Sequence, residues 1–272
     1  MWKLEENDNF SWIKPGMEII KRDFNLNDLK AVLTDHHISG SIVVQAIPVT
    51  QETVDLLDLA TQNDFIKGVI GWCDVSLGAK SVQESIDLFK QHGNYLKGIR
   101  NMSQGLPPKH LIEPDFIEAV KQIGKNDLVY ELLITHEQLP EAIKLVEACP
   151  DVTFVVEHIA KPNIKDHDIA TWQKNMQALA KASDKIYCKV SGMVTEADWH
   201  NWQEEDFYPY IDTIYANFGE DYMLFGSDWP VCQVAAKYEQ VLDIIKHWLA
   251  KHPEVNSEKI FAQNAIKVYK LS

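Results

Sequence analysis

The sequence is poor in cysteine: Cys73, Cys149, Cys188 and Cys232 stand far apart, with no Cys-x-x-Cys pair. That spacing excludes a zinc ribbon or a thioredoxin-type centre and fits reduced thiols in a cytoplasmic protein. Positive charge is also short, 26 Lys and Arg against 40 Asp and Glu, a formal net charge of −14. A surface that negative repels phosphate backbones and anionic lipid, so neither nucleic acid nor membrane is an expected partner. No apolar run approaches the ~20 residues of a membrane span. The stretch Met1 to Phe10 lacks the positive start and apolar centre of a secretory signal. Absent too are a Gly-x-Gly-x-x-Gly, a Gly-x-Ser-x-Gly elbow, a phosphate-binding glycine loop and a His-x-x-x-His helix pair, which disfavours dinucleotide, serine-hydrolase, kinase and zincin chemistry. No linker, repeat or low-complexity tract divides the chain, so residues 1–272 are expected to form one domain.

What is present is a regular alternation. Seven short, β-branched apolar runs, Ser41 to Ile47, Ile66 to Asp74, Tyr95 to Arg100, Leu128 to Thr135, Val152 to Ile159, Ile186 to Ser191 and Tyr222 to Ser227, are each followed by a segment of helical periodicity. Such runs suit strands buried on both faces of a parallel sheet. Their starts recur about 24 to 36 residues apart, one strand plus a crossover helix. Polar residues close nearly every run, as in a barrel that gathers its site from many strand ends; a doubly wound sheet would concentrate them at one switch point. The expected fold is therefore α/β, a TIM-like (β/α)8 barrel with its first strand missing or irregular. The only room for an eighth strand lies before the helix Leu26 to Thr34. Residues 1–25 read instead as a loop region with scattered Trp2, Phe10 and Trp12, implying a truncated start or irregular closure.

Candidate chemistry lies at the strand ends. Asp228, in Phe225-Gly226-Ser227-Asp228-Trp229-Pro230, suits a general base toward water or a metal ligand, against a plain turn or N-cap role. His158 leaves an apolar strand and could polarise a carbonyl or bind a metal, against a core histidine satisfied by backbone. His136 reads equally as a capping or surface residue. Arg100 and Lys189 place cations where they could grip a carboxylate or oxyanion, or form structural ion pairs; Lys189, inside a buried strand, must face the mouth or meet an acid. Trp72, Trp199, Trp202 and Trp229 could stack on a sugar ring or simply pack. Gln45 could donate to substrate. His36 and His37 fall at a helix end, where a cation suits the dipole, and are not read as metal ligands.

Taken in order, Lys97-Gly98-Ile99-Arg100, His158-Ile159-Ala160-Lys161-Pro162, Tyr187-Cys188-Lys189-Val190-Ser191-Gly192 to Trp199, Phe225-Gly226-Ser227-Asp228-Trp229-Pro230 and Asn264-Ala265 resemble the amidohydrolase 2 family. Within it the chain is most similar to the L-fuconolactonase and L-rhamnonolactonase group, from about Trp2 onward. The resemblance implies a barrel hydrolase that opens a sugar lactone to its aldonic acid, with Asp228 handling the water and His158 assisting at the carbonyl. Arg100, Lys189, His136, Gln45, Trp72 and Trp199 are then candidate substrate contacts. The family's first strand normally ends in a His-x-His-Phe-Trp-like motif, and both histidines are absent here. Lactonases of this subgroup resemble others that need no metal, so no cofactor is expected to be required; a divalent metal such as zinc is the alternative, with its usual His-x-His ligands absent. A metal-dependent decarboxylase of the same superfamily and an inactive or binding-only barrel are the alternatives. The expected partner is a small-molecule sugar lactone, met by a monomer or a homodimer.

Overall fold

A computed structural model describes residues 1–4 and 8–271. Each apolar run becomes a strand: β1 (Ser41–Val44), β2 (Ile66–Gly71), β3 (Leu96–Met102), β4 (Val129–Leu133), β5 (Phe154–Val156), β6 (Ile186–Val190) and β7 (Met223–Phe225). They form one sheet in chain order, every neighbouring pair parallel. The helices between them cover the outer face and give a TIM-like α/β wall. The helix Pro114–Lys125 shows why: proline at its start needs no donor, and Phe116, Ala119, Val120 and Ile123 form one buried stripe.

Most strands are shorter than the apolar runs, and the reasons lie in the backbone. The run ending at Ile159 stops pairing at Val156 because His158, Ile159, Ala160 and Lys161 all adopt left-handed φ, from 47° to 58°, a conformation no ladder accommodates. Past Val44, the N–H groups of Ala46 and Ile47 donate to the Glu52 carboxylate instead of to a strand. Beyond Phe225, Asp228 is left-handed at φ 54° and the Trp229-Pro230 peptide is cis. Strand β3 runs past Arg100, since Asn101 and Met102 pair with Leu132 and Leu133.

Among the described residues no strand precedes β1 and no ladder joins β7 to β1. The expected loop region 1–25, of which residues 5–7 lie outside the described residues, carries two short 3-10 turns and one antiparallel bridge between Trp2 and Phe24. Its aromatic residues are not scattered. Trp2, Phe10, Ile20 and Phe24 form a buried cluster with Val234, flanked by Ala46 and Ile47 after β1 and by Trp229 and Val231 after β7. The segment thus spans the two unpaired ends of the sheet at the rim that carries the strand-end residues.

Side chains alternate in direction along each strand. One set, Val129, Val155, Tyr187 and Leu224, meets Val268 and Tyr269 from the C-terminal segment in a small core of its own. Two residues further toward the mouth come Glu131 on β4, Lys189 on β6 and Glu157 just past the end of β5, so an apolar floor carries a charged storey.

Candidate active site

The charged storey is almost sealed from water. The Lys189 ammonium lies 2.8 Å from both Glu131 oxygens and 2.9 Å from Glu157 Oε1, and Arg100 Nη1 approaches the same Glu157 oxygen at 3.4 Å. Tyr269, from the C-terminal segment, donates its hydroxyl to Glu131 Oε1 at 2.5 Å. Burial pushes the Glu131 carboxyl up to about 8, with Lys189 opposing. Burial acts against Glu157 too, yet Lys189 and Arg100 hold it well below the usual carboxylate range. Of the two expectations for Lys189 from the sequence, facing the mouth or meeting an acid, the structure shows the second, with two acids. Glu131, Glu157 and Tyr269 were not singled out there. A lone acid inside each of two apolar runs was the available signal for the glutamates, and none pointed to Tyr269.

Glu157 leads to the mouth. His158 Nε2 lies 3.4 Å from Glu157 Oε2 and 3.7 Å from Asp228 Oδ1, while Nδ1 is 2.8 Å from Ser191 Oγ. Burial drives the imidazole down to about 3, so it is neutral. With carboxylates on the Nε2 side, the single proton is assigned there and the Ser191 hydroxyl donates to Nδ1. Gly192 makes this packing possible: at φ 61°, a Cβ on it would sit 2.7 Å from the His158 ring. Burial pushes the Asp228 carboxyl up to about 7, against the pull of Lys161 and Arg100 and with the push of Glu157 and Glu196. The mouth therefore pairs a base poised near neutrality with a neutral N–H donor.

Arg100 is clasped by the residue that follows β1. Its Nη2 donates to the Gln45 carbonyl, and Gln45 Nε2 reaches the Arg100 carbonyl at 3.4 Å. Two atoms of this clasp, Arg100 Nε and Gln45 Oε1, are buried with no hydrogen-bond partner among the described residues. Buried polar atoms are rarely left so, and a bound ligand is one way to satisfy them. His136 donates from Nδ1 to the Lys161 carbonyl at 2.9 Å, which ties it to the turn carrying His158. Trp72 is held by Thr53, whose hydroxyl accepts from its backbone N–H at 2.8 Å. Trp199 donates its indole N–H to the Thr195 carbonyl and lines, with Trp202, Glu204 and Asp243, a cavity of about 420 Å³ whose lining includes neither Asp228 nor His158. His36 stacks on Tyr238 at 4.8 Å, in keeping with a helix-end role.

The mouth suits a metal poorly. Among the described residues no group of three or more His, Cys, Asp and Glu side chains stands where it could hold an ion. His158 and Asp228 supply two donors, and Glu157 is already neutralised by Lys189 and Arg100. No helix among these residues is long and apolar enough to cross a membrane.

Comparison with known proteins agrees with this architecture. Residues 14–271 match the family model described as amidohydrolase. L-fucono-1,5-lactonase of Burkholderia multivorans is 31% identical over 258 residues, 91% of this chain and 85% of that protein. A crystal structure of an amidohydrolase from Burkholderia multivorans with bound HEPES superposes with a TM-score of 0.93 at 28% identity, covering 100% of this chain and 96% of the other. One described with bound zinc gives a TM-score of 0.92 at the same identity and coverage. The chain belongs to the amidohydrolase family.

Proposed function

We propose that this protein is a hydrolase that opens a sugar lactone to its aldonic acid. The observation that carries the reading is the placement of Asp228, a carboxyl poised at about 7, within 3.7 Å of the Nε2 of neutral His158. The similarity to L-fucono-1,5-lactonase supports the substrate class and makes L-fucono- and L-rhamnono-lactones the first to test.

Ring opening needs little apparatus. Asp228 takes a proton from water as the water oxygen bonds to the lactone carbonyl carbon. The oxyanion that forms is met by the His158 Nε2–H, and the Arg100 guanidinium behind Glu157 adds positive charge to the same mouth. Collapse breaks the ring C–O bond, and the departing alkoxide recovers the proton from Asp228. The leaving group stays tethered within the product, and no separate acid is required. Lys189 and Glu131 lie behind Glu157 and hold its charge.

The product acid releases a proton, so a pH-indicator assay across sugar 1,5- and 1,4-lactones reads the reaction directly. Asp228→Asn should lower kcat by about 10²- to 10⁴-fold, the usual contribution of a general base; an unchanged rate would sink the mechanism. We further propose that no metal is required. Dialysis against a chelator should leave the rate intact, and a loss reversed by added zinc would overturn this.

A further inference from the structure

The turn that delivers His158 also delivers one half of a second pair of charges. Lys161 is the fourth consecutive left-handed residue, at φ 48°, a run that L-residues avoid because Cβ crowds the carbonyl. Its N–H donates to the His158 carbonyl at 2.8 Å and its carbonyl accepts from His136, so both ends of the residue are tied to the mouth. The ammonium meets Glu196 Oε1 at 2.8 Å. Glu196 lies on the loop after β6 and is fixed by its own carbonyl, which accepts the Lys165 N–H at 3.0 Å. This contact uses one ammonium hydrogen. The other two, and Glu196 Oε2, have no protein partner among the described residues. The side chains are 19% and 25% exposed, open to a ligand yet held in place. Both charges act on Asp228.

An ammonium and a carboxylate side by side match a hydroxyl, which accepts from one and donates to the other, and they match a vicinal diol better. We propose that the Lys161–Glu196 pair reads the ring hydroxyls of the lactone and selects polyhydroxylated lactones over unsubstituted ones. The inference rests on the reading that the lactone carbonyl sits over Asp228 and His158, and it names a binding role for two residues outside that chemistry. A pair that merely tied two loops together would affect every substrate alike.

Glu196→Gln and Lys161→Met separate these roles. With L-fucono-1,5-lactone and δ-valerolactone as substrates, each variant should raise KM for the sugar lactone by about ten- to hundredfold, the loss of a charged hydrogen bond. Turnover of δ-valerolactone, read on the alkaline plateau where Asp228 is fully ionised because both charges bear on that carboxyl, should change by no more than about twofold, since it offers the pair no partner. Equal losses on both substrates, or none on either, overturn the proposal. If the native protein opens neither lactone, the lactonase reading fails, and calorimetric titration with L-fuconate still decides the pair. Binding weakened at least about tenfold by Glu196→Gln supports it, whereas unaltered binding, or no binding to the native protein, overturns it.

Discussion

Asp228 holds a carboxyl where its charge is disfavoured. Buried and only 13% exposed at its side chain, it is pushed from the ordinary value of 3.8 up to about 7. Between those two pH values the folded chain holds a proton that the unfolded chain has released, so stability falls as pH rises through this window. About three units correspond to roughly 4 kcal/mol at most, present below pH 4 and lost above pH 7. Asp228→Asn removes the charge and keeps the shape. The variant should match the native protein near pH 4 and melt several degrees higher at pH 8, even as its activity should fall. Thermal unfolding followed at both pH values checks this. A variant no more stable at pH 8 than the native protein would place the group in an environment that solvates its charge. The same residue should set the acid limb of the kcat/KM profile, rising through about pH 7 as Asp228 ionises.

At the scale of elements, the order and parallel pairing of the strands were legible because burial on both faces leaves continuous apolar runs. Their ends were not. Val152 to Ile159 reads as one run, but apolar character continues into a left-handed turn where pairing has ceased, and hydrophobicity carries no record of φ. The site divided similarly. Asp228 and His158 were legible at strand ends, and Lys189 as a charge in an apolar run. Glu131 and Glu157 become meaningful only once alternation places them on the inner face beside it, and Tyr269 arrives from a segment 138 residues from its partner. The Glu131–Lys189–Glu157 group spans β4, β6 and the residue after β5, and removing its central cation leaves the Glu157 carboxylate buried without its main partner, beside a Glu131 carboxyl already pushed up to about 8. Lys189→Met should cost about 3–5 kcal/mol, the penalty of an unpaired buried charge. Adding Glu157→Gln should recover part of that loss by removing the stranded carboxylate. Urea unfolding of the single and double variants reads the coupling, and strictly additive losses would show that the pair is not an energetic unit.

Over the whole molecule, a seven-stranded wall leaves β1 and β7 without each other as partners, and unpaired edges are ordinarily a liability. Here the aromatic cluster of the N-terminal segment lies against the loops that follow both strands. Phe24 is at its centre, 1% exposed, with edge-to-face contacts to Trp2 at 5.1 Å and to Trp229 at 5.4 Å between ring centroids. Trp229 adjoins Asp228 in the chain, so the cluster that covers the rim also supports Asp228. Phe24→Ala should therefore cost about 3–5 kcal/mol in stability, as for other buried phenylalanines, and also disturb the site. Phe116→Ala, equally buried but on the outer helix Pro114–Lys125, supplies the comparison. Both variants should melt earlier, but below their transitions only Phe24→Ala should lower kcat. Equal kcat in the two would mean that the cluster stabilises the wall without positioning Asp228.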